Sequence, residues 1–150
     1  MLKTLPFILL LVLVVTSCSK KDNQPEMDDQ IIQNYLKTNN LTAIKDPSGL
    51  YYIMTVTGTG TNPTSSSTVE VKYKGRLVNG TIFDQTTTDK TATFPLSGLI
   101  RGWEIGIPLM KKGGKATFYL PSALGYGSTT TGPIPANSVL IFDVELINIK

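Results

Sequence analysis

Residues 94–103 read Phe94-Pro95-Leu96-Ser97-Gly98-Leu99-Ile100-Arg101-Gly102-Trp103, and the rest of the chain is organised around them. An extended run ends at Leu96, Ser97-Gly98 turns the chain, and a short helix follows that carries the only tryptophan. Ser97 is the expected N-cap, since its hydroxyl can accept a hydrogen bond from a free first-turn amide. Ile100, Trp103 and Ile107 recur at i, i+3 and i+7, which is one apolar face of a helix. Pro108 should stop or kink that helix near Ile107. So short a helix is not stable alone in water and has to lie against a sheet. Taken by itself, Trp103 is more readily a core residue than a binding one; the flanking sequence decides.

Both flanks are β-rich. Before the helix, residues 50–57 are β-branched and aromatic, and residues 61–67 form a polar loop. Residues 68–74 then alternate, with Val69, Val71 and Tyr73 on one face and Glu70, Lys72 and Lys74 on the other, as in a half-buried antiparallel strand. Asn79-Gly80 is the strongest hairpin signal, predicting a tight primed turn with positive φ at both positions. Residues 81–84 return, 85–90 are a polar loop and 91–96 another strand. Beyond the helix, Lys112-Gly113-Gly114 turns into residues 115–120, where Ala116, Phe118 and Leu120 alternate. Residues 121–137, rich in glycine and proline, read as a long ordered loop, and such loops are often functional. Residues 139–149 close the chain, with Phe142, Val144 and Leu146 opposite Asp143 and Glu145. No internal repeat is visible. About 100 residues make one domain, large enough for a real core. Antiparallel strands around one helix make the fold class α+β.

The N-terminal third is different in kind. Lys3 precedes an apolar run at residues 7–15, too short to span a bilayer, so residues 1–17 read as a signal peptide. Val15-Thr16-Ser17-Cys18 resembles a bacterial lipobox, in which the cysteine is lipidated and becomes the new N-terminus. A plain secretory signal with an incidental cysteine is the alternative. Residues 18–27 would be the lipidated cysteine and a solvated tether. Residues 28–47 would hold a short helical stem, capped by Asp28-Asp29 and running to about Thr38, with Ile31, Ile32, Tyr35 and Leu36 as its apolar side. It could pack on the domain, act as a stem or make a dimer contact. Residues 48–150 would then be the folded domain.

Composition removes several chemistries. Cys18 is the sole cysteine, so no intrachain disulfide can form. There is no histidine, which excludes metal sites built on His or Cys and a Ser/His/Asp triad. The net charge of +3 falls to about +2 once Lys3 leaves with the leader, too slight to argue for nucleic acid.

Several motifs share one order along the chain: Val71-Lys72-Tyr73-Lys74-Gly75, Asn79-Gly80-x-x-Phe83-Asp84, Leu99-Ile100-Arg101-Gly102-Trp103, Pro121-x-x-Leu124-Gly125-Tyr126-Gly127, Ile134-Pro135 and Phe142-Asp143-Val144-Glu145-Leu146. Over about residues 49–150 the chain resembles the FKBP-type peptidyl-prolyl isomerases, and most of all the bacterial secreted branch that includes the macrophage infectivity potentiator proteins. The resemblance implies a curved antiparallel sheet of five or six strands wrapped around one short helix. It also implies a proline pocket between them. Trp103 would be its floor, Tyr73, Phe83, Leu99, Ile100 and Phe142 its walls, and Asp84 and Tyr126 its polar groups. The Ile100 amide would bond a substrate carbonyl, and Ile134 would sit on the loop at the rim.

Each of these residues has a plainer reading. Tyr73, Phe83 and Phe142 occupy inward strand positions that suit a core, Asp84 follows a hairpin, and Tyr126 between two glycines is a natural loop anchor. It is their joint order that points to a pocket. Ala92 stands where many single-domain members carry an aromatic wall, Lys90 is the only candidate cation for Asp84, and the loop after Gly127 is one residue short. These departures bear on macrolide binding and substrate choice more than on catalysis. The implied function is rotation about Xaa-Pro bonds during folding of exported proteins, with no cofactor and no metal. The implied partners are proline-containing segments, a membrane reached through the lipid anchor and, as a possible ligand, a macrolide. The implied location is the bacterial cell envelope. A non-catalytic peptide-binding or holdase module on the same fold, and a purely structural lipoprotein, are the competing classes.

Overall fold

The computed structural model describes residues 23–150. The stretches read as leader, lipobox with Cys18 and start of the tether lie outside the described residues. Two α-helices, α1 (Gln24–Thr38) and α2 (Arg101–Gly106), accompany seven strands: β1 (Ile44–Lys45), β2 (Tyr51–Val56), β3 (Thr68–Leu77), β4 (Ile82–Gln85), β5 (Ala92–Pro95), β6 (Lys115–Leu120) and β7 (Leu140–Ile149). Among the described residues no helix is long and apolar enough to cross a membrane.

The strands form one antiparallel sheet in the order β1-β2-β6-β7-β3-β4, with β5 also on β3. Ten-residue β3 is the spine. One edge pairs with β7 along its length, and the other takes β5 against Thr68–Val71 and β4 against Lys74–Arg76. The strand beyond the expected five or six is the two-residue β1, too short to leave a periodic signature.

The alternation in the sequence becomes two faces. Phe118 is registered with Phe142, and Ala116 with Val144; together with Val69, Val71, Leu120 and Leu146 they form a buried face beneath α2. Trp103 and Ile107 of the helical segment complete that core. The intervening row, Tyr51, Tyr119 and Ile141, faces the other way and joins Ile32 and Leu36 of α1 with Val139 in a second cluster. Burial pushes the Tyr119 phenol up to about 12, with Tyr35 nearby adding to it. Gly102 lets α2 lie directly on β6, because a β-carbon there would overlap the Leu120 side chain.

Three local expectations are corrected. Ser97 does not cap α2. Leu96 is fully buried and its carbonyl accepts the Leu99 amide, so Leu96–Gly98 forms a 3-10 turn of its own. Helix α2 therefore starts three residues later, capped by extended Ile100 without a side-chain bond. It ends at Gly106 and tightens into a 3-10 turn at Ile107–Leu109, where Pro108 sits. The hairpin is not a primed turn, because only Gly80 has positive φ, +89°. The Gly80 amide donates to the Leu77 carbonyl and the Leu77 amide to Thr81, which makes a longer loop with glycine in the left-handed position. The register then slips, with Gly75 facing Asp84 but Arg76 facing Ile82, so Phe83 is the extra residue of a bulge.

The third correction concerns α1, which begins at Gln24 inside the stretch read as tether, with Pro25 in its first turn. Asp28 does not cap it; the side chain is 1 % exposed and bonded elsewhere. Of the expected apolar side, Ile32 and Leu36 are buried while Ile31 is 37 % exposed. The helix is packed on the sheet and fastened by Asp29, whose carboxyl accepts from Lys45 (2.6 Å), the Tyr51 hydroxyl (2.7 Å) and Gln33 (2.6 Å).

Candidate functional site

The sheet and α2 bring aromatic side chains from five elements together. Trp103 is 4 % exposed and meets three rings edge-on: Tyr73 of β3 at 5.2 Å between centroids, Phe142 of β7 at 5.3 Å and Phe94 of β5 at 6.1 Å. Phe83 of β4 extends the group by a similar contact with Phe142 at 5.4 Å. Such edge-to-face pairs contribute about 0.5–1.5 kcal/mol each beyond area burial. Gly75 makes room for the last pair, since a β-carbon there would fall 2.6 Å from the Phe83 ring and 2.8 Å from that of Phe142. The bulge turns Phe83 into this contact.

The Trp103 indole N–H is buried without a hydrogen-bond partner among the described residues. An unsatisfied buried donor costs about 1–3 kcal/mol. A position kept for packing alone would avoid that cost with phenylalanine.

Polar groups lie to one side of the cluster. The Tyr73 hydroxyl donates to Asp84 Oδ2 at 2.6 Å. Burial first, then this bond, and then the Tyr126 hydroxyl close by hold the Tyr73 phenol well above the ordinary tyrosine range. Tyr73 is therefore a neutral donor at any physiological pH, and Tyr126 belongs to the same neighbourhood. Asp84 is exposed and makes no ion pair among the described residues, so Lys90 is not its partner.

Leu99 and Ile100 are half-buried against the core at the entrance to α2. The Ile100 carbonyl accepts the Trp103 and Glu104 amides, whereas its own amide has no hydrogen-bond partner among the described residues. Tyr126 is 36 % exposed. Its loop is closed by the Gly127 amide donating to the Ser122 carbonyl and the Asn137 amide to that of Gly127, both 2.8 Å.

Of the residues expected at the site, Tyr73, Phe83, Asp84, Leu99, Ile100, Trp103 and Phe142 gather on or beside the cluster, and Tyr126 lies near enough to Tyr73 to affect its phenol. Ile134, expected on the loop at the rim, is 4 % exposed, as buried as Trp103 and Phe142. It belongs to the same core cluster, on a loop whose tip at residues 131–133 is exposed and is closed by paired bonds between Thr131 and Ile134, 2.9 Å each way. Sequence reasoning missed Phe94 as a wall. The signal was its alternation with Ala92 on β5, which sets Phe94 opposite Val69 and Ala92 opposite Val71 on the inward face.

A cleft of about 770 Å³ lies elsewhere, between the start of α1 and residues 121–128, and includes Glu26, Asp28, Asp29 and Lys45 in its lining. Recognition pockets are mostly apolar with few polar groups, so the aromatic cluster is the better candidate. Among the described residues no group of His, Cys, Asp or Glu could hold a metal ion. The cluster offers an apolar, aromatic bed with one free backbone donor and a phenol–carboxyl pair at its side.

The family model for the FKBP-type peptidyl-prolyl cis-trans isomerase matches residues 59–147. The FKBP-type peptidyl-prolyl cis-trans isomerase FkpA of Aeromonas hydrophila is 48% identical over 104 residues, covering 69% of this chain and 39% of the relative. The outer membrane protein MIP of Legionella longbeachae is 43% identical over 106 residues, covering 69% and 46%. The crystal structure of FkpA from Escherichia coli superposes with a TM-score of 0.74 at 36% identity, over 85% of this chain and 63% of that one. A peptidyl-prolyl cis-trans isomerase from Pseudomonas syringae superposes with a TM-score of 0.72 at 30% identity, over 83% and 95%. The chain spans less than half the length of the curated relatives named here.

Proposed function

The chain belongs to the FKBP-type peptidyl-prolyl cis-trans isomerase family, and from that premise we propose that it speeds rotation about Xaa-Pro bonds in exported proteins by seating the proline against Trp103. The observation that carries this reading is the aromatic bed itself, Trp103 ringed edge-on by Tyr73, Phe94 and Phe142. The free Ile100 amide beside it suits a substrate carbonyl.

The chemistry needs no nucleophile. Amide resonance sets a rotation barrier of about 18–20 kcal/mol, and prolyl bonds interconvert uncatalysed over roughly tens to hundreds of seconds. In the twisted transition state that resonance is broken and the carbonyl is less polarised. A dry apolar pocket therefore disfavours the planar ground state more than the transition state, which is differential binding in the sense catalysis requires. The raised Tyr73 phenol stays protonated and holds Asp84, keeping the polar side of the pocket ordered.

A coupled assay on a short Xaa-Pro peptide tests the reading. Protein beginning at Ser19 will accelerate isomerisation. Tyr126→Phe removes one hydroxyl and keeps the ring; loss of a single hydrogen bond to bound peptide, about 0.5–1.5 kcal/mol, lowers kcat/KM several-fold. Asp84→Leu, which removes the acceptor of the Tyr73 bond, will also be folded and slower. A wild-type chain with no rate enhancement, whose proline-peptide binding is nonetheless lost in these variants, would leave the binding module in its place.

The leader and lipobox support a further part of the proposal, that Cys18 is lipidated and holds the domain to a membrane of the cell envelope. Two or more acyl chains give stable anchoring, where one gives only reversible binding. Cys18→Ser will shift the protein to a soluble or unprocessed form on membrane fractionation; a processed Cys18→Ser protein still in the membrane fraction would contradict the anchor. A macrolide would meet Ala92 as one small wall, so peptide is the proposed natural occupant.

A further inference from the structure

One turn into α1, the buried Asp28 carboxyl serves a partner 94 residues away. Its Oδ2 accepts both the Ser122 amide at 2.8 Å and the Ser122 hydroxyl at 2.6 Å, while Oδ1 accepts from Gln24 Nε2 at 2.7 Å. Ser122 opens the 3-10 turn Ser122–Leu124, so its amide is a donor that the turn cannot satisfy internally. The Ser122 carbonyl in turn accepts the amides of Gly125 (2.9 Å) and Gly127 (2.8 Å), the two residues flanking Tyr126. An unbroken series of hydrogen bonds thus runs from α1 to the backbone on either side of Tyr126. Asp28 and Ser122 are 1 % and 2 % exposed, the only polar or charged residues buried to that degree among the described residues.

We propose that Asp28 is a positioning residue for the prolyl site: through Ser122 it fixes the bend at residues 125–127 and hence the Tyr126 hydroxyl. Helix α1 is then part of the working site and not a spacer. A fully buried carboxyl serving two donors of one residue is strongly geometric, since it fixes both the backbone and the rotamer of Ser122. Removing it leaves two buried donors unsatisfied at the root of the loop while leaving Trp103, Tyr73 and Phe142 untouched.

The proposal rests on reading the aromatic cluster as the prolyl site, and the test separates the two. In the full chain from Ser19, Asp28→Ala will speed amide hydrogen exchange at residues 125–128 and lower kcat/KM on a Xaa-Pro peptide by about three- to tenfold. Asp28→Asn, whose side-chain oxygen can still accept from Ser122, will restore most of both. In a double-mutant cycle, Asp28→Ala will cost much less activity when Tyr126 is already phenylalanine, because its effect passes through that hydroxyl. A purely structural role would make the losses additive, and that result, or unchanged loop exchange in folded Asp28→Ala, would overturn the proposal. If Asp28→Ala does not fold, Ser122→Ala removes only the hydroxyl bond and must give the same pattern in smaller measure. An inactive wild-type chain would defeat the isomerase reading, while the exchange measurement would still decide whether Asp28 holds the bend at residues 125–127.

Discussion

Trp103→Ala will lose most of the isomerase activity together with about 3–5 kcal/mol of stability, the usual cost of truncating a buried tryptophan. The side chain is 4 % exposed and is the common partner of Tyr73, Phe94 and Phe142, so its removal leaves three rings without their edge contact. A loss that large approaches the whole stability of many domains, about 5–15 kcal/mol. Activity must therefore be read on protein shown to be folded. Trp103→Phe separates the two effects. It keeps an aromatic ring on the Tyr73 and Phe142 edges and removes the unpartnered indole N–H, so its stability loss will be the smaller. If Trp103 is the bed for the proline ring, the phenylalanine variant is well folded in urea unfolding yet slower on the same peptide. A folded Trp103→Ala protein with wild-type kcat/KM would place the proline elsewhere.

What the sequence could disclose follows from the range over which each signal acts. Residues 68–74, 115–120 and 139–149 carry the period of two in neighbouring side chains, and β3, β6 and β7 stand where that alternation puts them. The apolar set Ile100, Trp103 and Ile107 likewise placed α2 on the sheet. Its starting point did not follow, because Ser97 has the chemistry of a cap but the buried Leu96 claims that turn first. Asn79-Gly80 announced a hairpin, yet the choice between a two-residue turn and a bulged loop depends on pairing at Gly75 and Arg76 across the sheet. Asp28 is the sharpest case. A carboxyl near a helix start reads as a cap, and nothing local distinguishes it from one whose partner is Ser122, 94 residues on. Whether Ile134 reaches rim or core is likewise not a local matter, since it depends on how the loop closed by the Thr131–Ile134 bonds packs on the sheet.

Residues 48–150, without α1 and β1, will fold cooperatively but unfold at a markedly lower temperature than the chain from Ser19. The core beneath α2 is built wholly from residues beyond 48, with β3 held by β7 on one edge and by β4 and β5 on the other. That core does not need α1. The opposite face does: Ile32 and Leu36 cover Tyr51, Tyr119, Val139 and Ile141, and their removal returns this row to water. At about 1.5–3 kcal/mol for each buried large apolar side chain, the two helix residues alone contribute roughly 3–6 kcal/mol. For a domain of this size that lowers the midpoint by roughly ten degrees or more. The shortened domain also lacks Asp28, so it should show the fast loop exchange and reduced activity of Asp28→Ala even at temperatures where it is fully folded. Calorimetry of the two lengths decides the first point. A chain of residues 48–150 with no cooperative transition, beside a longer chain that has one, would make α1 an integral part of the fold and move the domain boundary to its first turn.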